Sequence, residues 1–129
     1  MEPWELHGWF EEYLDACNRH DLTAVRASLD PAVRRAHLAA GADAWIDDLA
    51  DLFHGFADWR WKTIQLVAED DRIAAHLRGS GTHTGPWRGI LPTRRHVNVA
   101  EFQFLRLERG RIVASSGSGD AEVRALLTA

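Results

Sequence analysis

The chain has 129 residues (14.5 kDa), 46% of them hydrophobic and 26% charged, the balance of one ordinary globular domain with one core. A net charge of −4 offers nothing to a nucleic-acid backbone, and no apolar run approaches the ~20 residues that cross a bilayer. The single cysteine, Cys17, rules out an internal disulfide framework and fits a reducing cytoplasm, and Met1–Glu5 lacks the basic start and apolar stretch of a signal peptide.

In chain order, Leu6, Trp9, Phe10, Tyr13 and Cys17 recur at helical spacing and predict an amphipathic first helix. Asp21 is placed to cap a short second helix with Leu22, Val25 and Leu29 as its buried stripe, stopped after Asp30 by Pro31. A third helix is expected from near Gly41, capped by Asp43, with Trp45, Ile46, Leu49, Leu52, Phe53 and Phe56 on its apolar face. From Trp59 the period changes. Trp59 to Val67 is rich in β-formers, Glu69-Asp70-Asp71 makes a turn, and Ile73, Ala75 and Leu77 then alternate with Ala74, His76 and Arg78. Gly81 to Thr93 bends through glycines and prolines, and a long strand runs from His96 to Glu108. Arg109-Gly110 turns the chain into a strand near Arg111 to Ser116, and Asp120 to Leu127 closes it as a helix capped by Asp120. Three helices followed by antiparallel strands make this an α+β domain with its helices on one side of a sheet.

Six of the twelve aromatic residues are tryptophan. A stiff, mostly apolar ring with one N–H donor suits the wall of a ligand cavity, although it fills a core equally well. No His or Cys pair has metal-ligand spacing, and Ser115, Ser116 and Ser118 lack the elbow of a serine hydrolase, so neither a metal nor a serine nucleophile is expected.

The segment Gly81-Thr82-His83-Thr84-Gly85-Pro86-Trp87-Arg88-Gly89-Ile90-Leu91-Pro92-Thr93 resembles the G-T-H-x-G-x-[FW]-x-G-[IV]-x-P-T signature of SnoaL-like polyketide cyclases. Arg106 to Ile112 is similar to that family's R-x-x-D-G-K-I hairpin, and Asn18 with Asp21 to its N-x-x-D. The resemblance implies a cone-shaped fold like nuclear transport factor 2, a buried ligand cavity, no cofactor and often a homodimer. It also implies aldol ring closure by an acid–base Asp with a nearby His. Counted from the hairpin, the His falls on Gln103 and the Asp on Gly117, neither of which titrates, while a further family Asp matches Asp120.

With Gln103 on the cavity side, alternation puts Val97, Val99, Glu101 and Leu105 there too, and Glu101 is the one carboxylate in an apolar row. Desolvation would bring its pKa towards neutrality, as a general base requires, unless the strand turns it outward. His76 and Arg78 share a face, which either lines the cavity and stabilises an oxyanion or lies in solvent. His83 reads as a loop-holding or ligand-binding histidine, and Asp120 as a cap or a cavity acid.

Taken with what the resemblance implies, these residues lead to an expectation of proton transfer next to a carbonyl of a polyketide-like, mostly apolar molecule. Glu101 is the base, Gln103 the orienting amide, and Trp9, Tyr13, Trp45, Phe53, Trp61 and Trp87 are the wall. Three alternatives stand beside it: an epoxide hydrolase of the same fold, a non-catalytic binding protein, and a dimerisation module with a filled cone.

Overall fold

A computed structural model describes all residues, Met1 to Ala129. Helix α1 (Pro3–Asn18) turns Leu6, Phe10, Tyr13 and Cys17 into the core, as their spacing requires, and leaves its acidic side in solvent. Helix α2 (Leu22–Ala27) is capped by Asp21, whose Oδ1 accepts from Ala24 N at 3.1 Å. Helix α3 (Ala42–Gly55) begins at Gly41, whose φ of 103° suits glycine. Asp43 is not its cap, because its carboxylate turns aside to pair with Arg26 at 2.6 Å.

The sheet consists of β1 (Leu29–Arg35), β2 (Arg60–Glu69), β3 (Arg72–Thr82), β4 (His96–Glu108) and β5 (Arg111–Gly117), in the order β1-β5-β4-β3-β2. Strands β2 to β5 are antiparallel neighbours. The first strand was not expected from the sequence. Leu29 to Arg35 runs parallel to β5, so the sheet is mixed, and Leu29 and Val33 enter the core from this strand instead of a helix. Pro31 is tolerated because β1 lies at the edge and its register with β5 is irregular between Leu29 and Arg34. Helix α4 (Asp120–Leu127) lies against β4.

Alternation divides β3 and β4 cleanly into two faces. Ile73, Leu77, Val97, Val99, Leu105 and Leu107 are buried beneath the helices, each contributing about 1.5–3 kcal/mol of apolar burial. Phe102 and Phe104 stand on the opposite face, exposed.

The other edge strand, β2, is fastened to α1 by one side chain. Asn18 donates from Nδ2 to Trp61 O at 2.9 Å and accepts from Trp61 N at 2.7 Å, satisfying both backbone groups at once. Asn18→Ala is expected to lower stability by about 1–2 kcal/mol, measured as a fall in the urea midpoint with unchanged slope.

Candidate functional site

Glu101 sits on the inner face of β4, 8% exposed, opposite Leu77 of β3. Two glycines make room for it. A Cβ on Gly79 would lie 3.0 Å from Glu101 Oε2 and 2.6 Å from Trp59 Cζ2, and a Cβ on Gly119, where φ is 140°, would lie 2.5 Å from Oε1. The carboxyl is thus pressed between backbone and indole rings, and its pKa is raised to about 7. Burial is the main cause. The Trp61 indole opposes it by favouring the charged form, and the negative charges of Asp120 and Glu122 on α4 push it up again. Neither Glu101 Oε2 nor Trp61 Nε1 completes a hydrogen bond.

Gln103 follows on the same face, half-buried, with Oε1 unpartnered. Directly across from it in β5 is Gly117, so the two positions that the resemblance assigns to the acid–base pair are register partners. Gly117 is exposed and lies close in sequence to the start of α4.

Tyr13 reaches the same region from α1. Its phenol, near Cys17, Trp45 and Glu101, is held protonated well above the ordinary range, first by burial. Burial likewise pushes the Cys17 thiol up to about 12, so it is core and not a thiolate nucleophile. Trp45 is buried under the Arg35 guanidinium, 5.5 Å from its ring. Phe53 stacks on His20 at 3.6 Å and meets the Trp61 ring edgewise at 5.9 Å. Trp9 is half-buried, stacked on Tyr13, with its indole donating to Gly110 O at 3.0 Å.

Several expected site residues lie elsewhere. His76 and Arg78 belong to the outer face, because Leu77, which pairs with Glu101, points inward between them. His76 stacks on Phe102 at 4.6 Å, and Arg78 Nε donates to Asn98 Oδ1 at 2.7 Å, so neither reaches Glu101. Asp120 is neither cap nor cavity acid. Gly119 is the N-cap of α4, and the Asp120 carboxylate, 63% exposed, pairs with Arg88 at 3.0 Å.

His83 is fully buried and accepts from Thr93 N at Nδ1 (3.1 Å), which pins the ends of the Gly81 to Thr93 segment together. Trp87 packs into the core against Phe56, at 5.8 Å, and against Gly55, where a Cβ would come within 2.7 Å of its own. Trp59, fully buried beside Gly79, is a neighbour of Glu101 that the sequence did not single out. Its signal was the inward row Ile73, Ala75, Leu77, Gly79, Gly81, in which glycine announces a close neighbour.

The expected enclosed cavity is not what the surface grooves provide. One, of about 670 Å³, crosses the outer face past Val67, Ala74 and Phe104; another, of about 370 Å³, runs beside α1 past Trp9, Tyr13 and Arg19. Neither is lined by Glu101 or Gln103. No three His, Cys, Asp or Glu side chains gather in a way that would hold a metal ion, and no helix is long and apolar enough to cross a membrane.

Known proteins agree with this architecture. AclR from Streptomyces galilaeus, proposed to be a hydroxylase, superposes with a TM-score of 0.88 at 21% identity, covering 98% of each chain. A SnoaL-like polyketide cyclase from Agrobacterium tumefaciens gives 0.82 at 22%, covering 98% of this chain and 99% of its own. A protein from Kribbella flavida proposed to be a ketosteroid isomerase gives 0.68 at 16%, covering 90% and 78%. At these identities the likeness is one of fold. A search of curated proteins found no match. Residues 9–121 match the family described as SnoaL-like polyketide cyclase, and the chain belongs to that family.

Proposed function

We propose that the protein is a cofactor-free acid–base catalyst acting on an apolar, polyketide-like molecule, in which Glu101 takes a proton from carbon next to a carbonyl. Ring closure or isomerisation would follow from the enolate. The observation that carries this reading is a buried carboxyl with a pKa of about 7, with Trp59 and Trp61 as its neighbours and one oxygen unpartnered. Such a group is half ionised at neutral pH and needs little driving force to take up or release a proton. Gln103, two residues along the same face, is placed to orient a substrate carbonyl or hydroxyl.

The test is proton abstraction from 5-nitrobenzisoxazole, a planar aromatic carbon acid that opens with a coloured product. Turnover should rise with pH about a midpoint near 7. Binding without turnover is the second reading, favoured by the untitratable Gln103 and Gly117 at the family's acid–base positions. It predicts that the probe binds and no product forms at any pH.

We also infer that the outer sheet face joins two copies of the chain. Ile64, Val67, Phe102 and Phe104 are exposed together on β2 and β4, a large apolar surface for a lone domain. Phe104→Asp is expected to leave a monomer in sedimentation where the unmodified chain is a dimer; an unchanged sedimentation rate would reject this face.

A further inference from the structure

Besides His83 Nε2 and Trp87 Nε1 in the Gly81 to Thr93 segment, five buried side-chain atoms on or beside the inner faces of β2 and β4 lack hydrogen-bond partners: Trp59 Nε1, Trp61 Nε1, Thr63 Oγ1, Glu101 Oε2 and Gln103 Oε1. Three of them, on the two tryptophans and Thr63, belong to donors. Buried polar groups are ordinarily paired, and unpaired ones clustered around a carboxyl point to a ligand that pairs them. The Trp61 indole holds the Glu101 pKa below what burial alone would give, yet its N–H completes no hydrogen bond. It is also held still. Asn18 fixes its backbone through bonds of 2.7 and 2.9 Å, and its ring lies edgewise between Phe53 at 5.9 Å and Trp59 at 6.1 Å. An indole so constrained presents its N–H in a set direction without reorganising.

A donor is required here. Proton abstraction by Glu101 leaves negative charge on the substrate, and no Lys, Arg or His alternates onto the inner faces of β3 and β4. With His76 and Arg78 on the far side of the sheet, the unpaired donors beside Glu101 are the neutral N–H and O–H groups of Trp59, Trp61 and Thr63.

We propose that Trp61 is a catalytic residue whose Nε1–H donates to the substrate oxygen on which the enolate charge develops. The step balances within the substrate and Glu101. The α-carbon's C–H bond breaks, its proton forms an O–H bond on the carboxylate, and its electron pair moves into a C=C bond. The carbonyl π electrons pass to oxygen, which accepts from Trp61. The pair returns when that carbon is reprotonated or attacks a second carbonyl. This deepens the acid–base reading and specifies the substrate as a ketone whose oxygen lies close to the C–H that is broken.

The test uses 4-nitrophenolate, a planar aromatic anion whose phenolate oxygen shares its charge with the ring and nitro group, as a mimic of the delocalised enolate. It is titrated under mildly alkaline conditions into the Glu101→Gln protein, which lacks the competing negative charge. The Trp61 indole N–H signal, assigned by its proximity to the Phe53 ring, is expected to move downfield in nitrogen-resolved NMR. Adding Trp61→Phe should weaken 4-nitrophenolate about 10-fold or more while leaving neutral nitrobenzene nearly unchanged. The NMR measurement needs no change at Trp61, so it decides the matter even if that variant does not fold. An unmoved indole signal at saturation, equal affinity in the Phe variant, or no binding of the anion would each overturn the proposal. The acid–base reading fails separately, through absent turnover of 5-nitrobenzisoxazole by the unmodified protein.

Discussion

Glu101→Gln is expected to lower turnover of 5-nitrobenzisoxazole roughly 100-fold or more, with the protein still folded. Glutamine keeps the shape and the apolar contacts of the protonated acid but cannot accept a proton at neutral pH. The direction of the pH profile follows from the same chemistry. A base must be ionised to act, and Glu101 is ionised only above about 7, so the rate climbs through that value and then levels. Glu101→Asp keeps the titration but withdraws the carboxyl by one methylene from Trp61 and the two glycines. A smaller rate with a displaced midpoint is therefore expected for Asp, and a flat profile for Gln. Equal turnover in the Gln variant and the parent would remove Glu101 from the chemistry, whatever its pKa.

Stability should respond to the same substitution in the opposite sense. The Glu101 carboxyl has an ordinary value of 4.5 and about 7 in the folded chain. Between those values the folded protein still holds a proton that the unfolded chain has released, so raising the pH favours unfolding. Below the lower value both states are protonated and nothing is lost; above the upper one the loss is complete. A difference of that size corresponds to about 3 kcal/mol. Glu101→Gln carries no such penalty and is expected to exceed the parent in urea stability by about that amount under alkaline conditions, converging with it in acid. Asp71, whose pKa is lowered mainly by its hydrogen bond to Arg106, titrates in acid and is common to both proteins, so the difference between them isolates Glu101. Parallel stability curves would mean that Glu101 ionises as a solvated acid. The two results together describe one compromise, a carboxyl that costs the fold stability in the ionised form a base requires.

Local features of the sequence carried much of the architecture. Helical spacing identified the buried face of α1, Asp21 capped α2, and alternation in β4 singled out Glu101 in an apolar row. The Gly81 to Thr93 motif carried the family, and its histidine and tryptophan prove to be packed inside, His83 tying Thr93 to the strand end. These features depend on residues within a few positions of one another.

What the sequence left open was how elements meet. Alternation places His76 and Arg78 on one face of β3 and Glu101 on one face of β4, but not whether those faces coincide. The pairing of Leu77 with Glu101 and of His76 with Phe102 decides that they do not. Likewise Pro31 reads as a helix stop, and only the position of β1 beside β5 at the sheet edge makes its surroundings a strand. The sequence by itself determined the family, the periodicities and the lone inward acid. The tertiary structure decided that acid's neighbours, the indoles of Trp59 and Trp61, Gly79 and Gly119, because the phase between strands is set by long-range pairing and the pKa by what that pairing brings within a few ångströms.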